Sequence, residues 1–109
     1  MAYDEDLAER IRDELAPVAD VVEKKMFGGV SFLINGNMAV GVIGDEMCVR
    51  TGSSEFETLL AEPGARIFDF SGRPMKGWVM VGPAGLATDQ SFTRWVERGV
   101  GYASSLPPK

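Results

Sequence analysis

The chain has 109 residues, enough for one domain, and its 45% hydrophobic and 25% charged residues are typical of a globular protein. The single cysteine excludes an intrachain disulfide, and the absence of histidine excludes both histidine-based catalysis and the commonest metal ligand. No apolar run reaches the roughly 18 residues that a membrane span needs, and the acidic N-terminus is unlike a secretory signal. We therefore expect one cytoplasmic domain over residues 1–109, with no membrane contact.

The net charge of −5 is concentrated at the N-terminus. Residues 1–23 contain eight acidic and two basic residues, a net charge of −6, whereas residues 24–109 carry a net charge of +1. A phosphate backbone would be repelled by the first segment and only weakly attracted by the rest of the chain. We therefore expect no direct nucleic-acid binding by this chain.

The first predicted element is an amphipathic helix. Leu7, Ile11 and Leu15 recur at the spacing of one helix face, which predicts a helix over residues 4–16 that ends near Pro17. Acidic residues at its start suit the positive end of the helix dipole. Its acidic face is interpreted as a solvated surface, with a docking face for a basic partner as the alternative.

Short strands follow the helix. Two runs rich in β-forming residues, 30–34 and 37–43, flank Asn35-Gly36, the pair most typical of a two-residue hairpin turn. A second tight turn predicts a third antiparallel strand at 46–50. Residues 21–27 are a candidate for one more short strand.

The second half of the chain repeats this alternation. Ser54 and Glu57 have the spacing of a capping box, which predicts a short helix over residues 55–61. Two further strands are predicted at 67–70 and 78–81, because each run is rich in β-branched and aromatic residues. The glycine- and proline-containing stretch between these strands is predicted to be a loop.

The last predicted element is a helix over residues 89–104, capped by Thr88 or Asp89 and stopped by Pro107-Pro108. A glycine on its inner face is explained by close packing of the helix on the sheet, since glycine otherwise lowers helix stability. The residues predicted to form that inner face are Phe92, Trp95, Val96, Gly99, Ala103 and Leu106.

The elements follow in the order helix, three strands, helix, two strands, helix. This order predicts the α+β class, as a two-layer α/β sandwich in which helices pack on an antiparallel sheet of about five strands. Apolar side chains occur on both faces of the strands, so homodimerisation through the face without helices is a hypothesis. The residues behind it are Met38, Met47, Cys48, Phe68 and Met80.

The chain offers little catalytic chemistry. Cys48 is the only thiol, no histidine can activate it, and its place within an apolar strand predicts a buried, inert group. No phosphate-binding glycine loop and no calcium-loop pattern is present. We therefore expect no catalytic, cofactor-binding or metal-binding residues and no enzymatic activity, with an enzyme as the weakest alternative.

Two segments combine cations, glycines and large apolar side chains. They are Lys24–Gly29 and Gly72–Trp78, and both are predicted to be loops. Exposed methionine and tryptophan beside lysine and arginine are typical of an interaction surface. In the alternative interpretation, Met26 and Trp78 complete the core and the cations are simply solvated.

These two segments also resemble a known family. Met-Phe-Gly-Gly at residues 26–29, Arg-Pro-Met-Lys-Gly-Trp at residues 73–78 and Trp-Val-Glu-Arg-Gly at residues 95–99 resemble the N-terminal domain of the TfoX/Sxy competence regulators. The resemblance runs from about Met26 to Pro108 and implies a secretion-chaperone-like α/β fold. In full-length members a second, helical domain follows, and the proteins are coactivators that help a cyclic-AMP receptor protein switch on DNA-uptake genes.

The resemblance implies a single stand-alone domain of this kind over residues 1–109, because the chain ends at Lys109. It supplies no catalytic residues. The leading hypothesis is a non-catalytic module for transcriptional or competence regulation that binds an unidentified protein partner. The alternative is a sensor in which Arg50, Arg73 and Lys76 converge on a small anion. The candidate interaction surface consists of Lys25, Met26, Phe27, Gly28, Gly29, Arg50, Arg73, Pro74, Met75, Lys76, Gly77 and Trp78.

Overall fold

The computed structural model describes residues 3–18, 20–26, 28–70 and 73–108, with the backbone alone at 26, 70 and 73–75. Three α-helices and one 3₁₀ helix accompany six strands. In chain order they are α1 (Glu5–Leu15), β1 (Val21–Met26), β2 (Gly29–Ile34), β3 (Asn37–Ile43), β4 (Glu46–Arg50), α2 (Phe56–Leu59), β5 (Ala65–Phe70), β6 (Arg73–Val81), the 3₁₀ helix (Pro83–Leu86) and α3 (Asp89–Ser105).

The helices at the two ends of the chain begin at side-chain caps. The Asp4 carboxylate accepts hydrogen bonds from the backbone N–H groups of Asp6 and Leu7, at 2.9 and 3.2 Å. The Thr88 hydroxyl accepts one from the N–H of Ser91 at 3.1 Å, so Thr88 is the cap of α3. These bonds satisfy N–H groups that have no partner within the helix. Both predicted helices are thereby confirmed.

The six strands form one antiparallel sheet in the order β1-β2-β3-β4-β6-β5. Asn35 and Gly36 both have positive φ, at 53° and 84°, as the predicted two-residue turn between β2 and β3 requires. The α+β class is confirmed. The sheet has six strands where about five were expected, because β1 pairs with β2 along its whole length.

The predicted loop at 71–77 is wrong for residues 73–77, which belong to β6. The pairing shifts abruptly there: Ile67 pairs with Val79 but Phe68 pairs with Met75, so residues 76–78 form a bulge. Glycine and proline, which favoured a loop, are tolerated at a bulge and where β6 has a neighbour on one side only.

The other predicted loop, Lys24–Gly29, is also shorter than expected. Lys24 to Met26 belong to β1, Gly28 lies in the turn, Gly29 begins β2, and Phe27 lies outside the described residues. The short helix is Phe56–Leu59, and its N-cap, Glu55, makes no side-chain hydrogen bond. The predicted Ser54 capping box is therefore not formed.

The main core lies between the sheet and the helices. Gly99 of α3 sits so close to β3 that a Cβ there would be 2.5 Å from the carbonyl oxygen of Ala39, which confirms the predicted packing reason for this glycine. Of the helices that the structure describes, none is long and apolar enough to cross a membrane. The largest buried side chains of the core include Trp95, Phe32, Ile11, Met47, Val40, Val49 and Val79.

A second, smaller cluster lies on the other face of the sheet. Cys48 points there because it stands between Met47 and Val49, which face the helices, and successive strand residues alternate in direction. Met38, Cys48, Phe68 and Met80 are each at most 8% exposed within this one chain. These apolar side chains therefore do not need a second copy of the chain to shield them from water. Homodimerisation stays a prediction, but apolar side chains on this face no longer argue for it.

Candidate interaction site

The structure distributes the predicted surface over two separate places. One is the β1–β2 hairpin, which contains Lys25 to Gly29, and the other is the end of β4 with the first half of β6. Four strand spacings separate β1 from β6 in the sheet, which is roughly 19 Å at about 4.8 Å per spacing. Arg50 and Trp78, by contrast, are register partners on neighbouring strands. The sheet thus groups Arg50 with the second motif only.

Arg50 lies between two aromatic rings. Its guanidinium carbon is 5.2 Å from the centroid of the Trp78 ring and 5.4 Å from that of Tyr102 in α3. Both distances are within the range of cation–π attraction, and all three side chains are partly buried. We call this group, Arg50 with Trp78 and Tyr102, the Arg50 site. Sequence reasoning did not find Tyr102, because its contact with β4 arises only from the packing of α3.

The bulge in β6 is tied directly to the end of β4. The carbonyl oxygen of Gly77 accepts hydrogen bonds from the N–H groups of Thr51 and Gly52, at 2.8 and 3.2 Å. The buried Thr51 hydroxyl lies 3.1 Å from this oxygen and 3.0 Å from the Gly52 carbonyl, so it can donate to either. Gly77 has a φ of 92°, which favours glycine. These bonds fix Trp78 beside Arg50.

Close packing also fixes the tyrosine of the Arg50 site. Gly52 has a φ of 77°, and a Cβ at this position would lie 2.7 Å from Cδ1 of Tyr102. Gly52 therefore serves both the backbone conformation and the approach of the ring. Thr51 and Gly52 were not among the predicted site residues, although the Thr-Gly pair at the end of a predicted strand is a usable signal for a specialised turn.

Most other arginines are paired with carboxylates, whereas Arg50 is not. Within the described part of the chain, no carboxylate lies within 4.0 Å of the guanidinium nitrogens of Arg50, and none of these nitrogens donates a hydrogen bond. Arg94 is also without such a partner among the described residues, but it is exposed on α3. The paired arginines are Arg10 with Asp89, Arg12 with Glu9 and Glu23, Arg66 with Glu46, and Arg98 with Glu62.

Two further predicted cations lie on β6. Lys76 is exposed within the bulge, two residues before Trp78. Arg73 begins the strand and pairs with Phe70, while Pro74 pairs with Asp69 and Met75 with Phe68. Along the backbone of β6, Lys76 is therefore closer than Arg73 to Trp78, the register partner of Arg50.

A comparison with protein-family models identifies the fold with a known domain. The model of the TfoX N-terminal domain matches residues 13–103. The chain belongs to the TfoX N-terminal domain family. The matched range starts within α1, earlier than the expected Met26, and contains every strand and the whole Arg50 site. The searches of curated proteins and of solved structures gave no match.

The Met-Phe-Gly-Gly motif of this TfoX N-terminal domain contains two glycines with different structural demands. Gly28 has a φ of 76° in the hairpin turn, and a Cβ there would meet nothing within 4 Å. Gly29 is packed so tightly against the carbonyl oxygen of Val42 that a Cβ would overlap it. Backbone geometry alone therefore accounts for both glycines. Lys25, just before this motif, is exposed on β1, an edge strand.

The single thiol of the TfoX N-terminal domain is buried in the smaller cluster on the other face of the sheet. Cys48 is 0% exposed, and its burial raises the pKa of the thiol to about 12. A group with this pKa is uncharged at neutral pH, and the thiolate is the nucleophilic form. The predicted burial of Cys48 is confirmed, and its lack of reactivity stays a prediction. Among the residues that the structure describes, no three acidic or cysteine side chains are grouped to hold a metal ion.

A cavity of about 250 Å³ lies away from the Arg50 site, between the start of α1 and the 3₁₀ helix. Its lining includes Asp4, whose carboxylate already caps α1, and Arg10, which is 3.6 Å from Asp89 and stacks on the ring of Phe92. Asp4 and Arg10 therefore have structural partners, and the other two charged residues of the lining, Asp6 and Asp45, are acidic. Among the described residues of its lining, the cavity thus offers no unpaired cation comparable to Arg50.

Proposed function

We propose that this TfoX N-terminal domain is a non-catalytic module that binds another protein, and that it acts in transcriptional regulation of competence. The observation that carries the first part is the Arg50 site, where a partly buried guanidinium lies between two aromatic rings and no carboxylate of the described residues is within 4.0 Å. The second part rests on the family to which the chain belongs. The motifs at residues 26–29 and 73–78 resemble those of its full-length members.

The composition of the Arg50 site supports protein binding. Arginine, tryptophan and tyrosine are the residues most enriched among those that dominate binding energy at interfaces. The hydrogen bonds to the Gly77 carbonyl fix the backbone next to Arg50 and Trp78, and close packing on Gly52 restrains Tyr102. These restraints reduce the conformational entropy that is lost on binding. Exposed Lys76, two residues before Trp78 on β6, adds a positive charge of the kind that mainly steers association.

The chemistry of the chain supports a non-catalytic role without a cofactor. Its only thiol is buried and uncharged, and it has no histidine to serve as a general base. We further propose that the domain acts in the cytoplasm and does not bind nucleic acid directly. The net charge of −6 over residues 1–23 supports the last point, since this segment would repel phosphate groups.

The test is capture of the partner from the native cytoplasm with tagged protein. We expect one specific protein to be recovered with the wild-type chain and lost with the double variant Arg73→Glu, Lys76→Glu. The matched control is Lys24→Glu, Arg94→Glu, which makes the same charge change at two exposed positions outside β6. If the β6 double variant keeps every partner of the wild type, the β6 surface is not the contact.

A sensor for a small anion is the second candidate function, favoured by the same unpaired Arg50. A thermal-shift screen against anionic metabolites tests it. A ligand at about 100 times its dissociation constant stabilises a fold by about 2.7 kcal/mol, which such a screen detects readily. A screen in which no metabolite stabilises the wild type more than it stabilises Arg50→Gln contradicts this candidate.

A further inference from the structure

Arg50 differs from every other arginine whose side chain is described. Arg10, Arg12 and Arg98 are also partly buried, and each of them lies within 4.0 Å of a carboxylate. Arg94 lacks a carboxylate but is exposed to water. Only Arg50 is both partly buried and without an acidic partner in the described part of the chain, so its charge is incompletely compensated.

The two rings attract the charge of Arg50 but leave its hydrogen-bond donors without acceptors. An aromatic face attracts a guanidinium, yet it offers no oxygen to the five N–H donors, which are arranged as a rigid fork. The nitrogens of Arg50 are not among the buried atoms without a partner, so solvent reaches them. A fork that is oriented by rings and open to solvent is suited to bidentate binding of a carboxylate.

We propose that Arg50 binds the carboxylate of an acidic side chain on the partner protein, with Trp78 and Tyr102 packing beside it. This inference rests on the proposed function and names the chemistry of the partner at that site. A carboxylate fits better than a phosphate dianion, because the site contains one guanidinium and the chain carries a net charge of −5. The neighbouring positive charge is that of Lys76, exposed in the bulge.

Nuclear magnetic resonance of the full chain tests the site without a known partner. Arginine Nε–H and tryptophan Nε1–H signals are followed while three terminally blocked amino acids are added at constant ionic strength. Blocked glutamate supplies the carboxylate, blocked glutamine is its neutral isostere, and blocked phosphoserine supplies a phosphate. The Nε–H signal of Arg94 in the same spectrum is the internal control for non-specific charge effects.

We expect blocked glutamate to shift the Arg50 Nε–H and Trp78 Nε1–H signals in a saturable way, with millimolar or weaker affinity. Blocked glutamine should leave both signals unchanged, and the Arg94 signal should not saturate with any of the three. In Arg50→Lys, which keeps the charge but loses the fork, the saturable shift of Trp78 should weaken at least several-fold. Thermal melting of this variant checks that it remains folded.

Two results overturn the inference. One is an Arg50 signal that moves no more than that of Arg94 with all three additives, which leaves Arg50 with a purely structural role. The other is saturable binding of blocked phosphoserine but not of blocked glutamate, which contradicts the carboxylate. Neither result depends on partner capture. The proposed function fails separately, when the wild-type chain recovers no specific protein partner.

Discussion

Replacement of Gly52 by alanine is expected to destabilise the fold for two separable reasons. The first is the backbone, because a φ of 77° in the left-handed region costs an L-residue about 1–2 kcal/mol. The second is steric, because the new Cβ would lie 2.7 Å from Cδ1 of Tyr102, and forced overpacking typically costs about 1–3 kcal/mol. The free energy of unfolding should therefore fall by about 2–5 kcal/mol.

A second glycine separates the two costs. Gly44 has a φ of 61°, and a Cβ there would meet nothing within 4 Å, so Gly44→Ala should lose only the backbone part, about 1–2 kcal/mol. Urea unfolding followed by tryptophan fluorescence gives both values, provided that the dependence on urea concentration is unchanged. Tyr102→Ala, introduced into the wild type and into Gly52→Ala, completes a double-mutant cycle.

The ring of Tyr102 is the decisive element in this prediction. If the clash is real, Gly52→Ala costs less in the Tyr102→Ala background than in the wild type, by about the 1–3 kcal/mol assigned to overpacking. Equal losses in Gly52→Ala and Gly44→Ala, together with no coupling to Tyr102, would refute the packing of α3 on the end of β4. The position assigned to Tyr102 beside Arg50 would then be wrong as well.

Three further predictions concern single contacts. Thr51→Val removes the hydroxyl beside the Gly77 carbonyl and should lower the free energy of unfolding by about 1 kcal/mol in urea titrations, while Thr51→Ser keeps most of it. The hydrogen bond from Arg12 lowers the pKa of Glu23 below its usual 4.5, so this pair stabilises the fold above pH 4.5. The wild type should therefore be more stable than Arg12→Gln at neutral pH, and this difference should shrink as the pH falls through the lowered pKa of Glu23. A constant difference down to acid pH would contradict this pairing. Cys48 should react with an aromatic disulfide reagent only on unfolding, as its burial requires, and rapid labelling of the native chain would show that the second cluster is open.

Local signals in the sequence predicted the parts of the fold that depend on neighbouring residues. The spacing of Leu7, Ile11 and Leu15 gives α1 its buried face, and Asn35-Gly36 adopts the positive φ values of its turn. Both are decided within a few residues by helix periodicity and by turn sterics. The cap at Thr88 is local in the same way, and these elements were predicted nearly to the residue.

The errors lie where pairing between distant residues overrides local preference. Residues 73–77 have the composition of a loop, but β5 offers them backbone partners, and the excess length is absorbed in the bulge. Ser54 has the spacing of a capping box, yet α2 has Glu55 as its N-cap and no side-chain cap forms. Propensity is a weak guide where such long-range hydrogen bonds compete with it.

The candidate site shows the same division. Arg50 and Trp78 stand out in the sequence because arginine and tryptophan are enriched at interfaces. Lys76 stands out as a cation two residues before Trp78. Tyr102 does not stand out, since it comes to Arg50 only through the packing of α3 over Gly52. The absence of a carboxylate beside Arg50, among the residues that the structure describes, is likewise a property of the fold, because the sequence does not show which of its 16 acidic residues lie near Arg50.

The central claim is that this domain acts through what binds at Arg50. The most direct measurement is quantitative recovery of a partner protein by tagged wild-type, Arg50→Gln and Arg94→Gln chains, each checked for folding by thermal melting. Arg50→Gln and Arg94→Gln remove the same charge, one from between the two rings and one from the exposed surface of α3. We predict that the partner is lost with Arg50→Gln and retained with Arg94→Gln, whereas equal recovery by all three folded chains would contradict the claim.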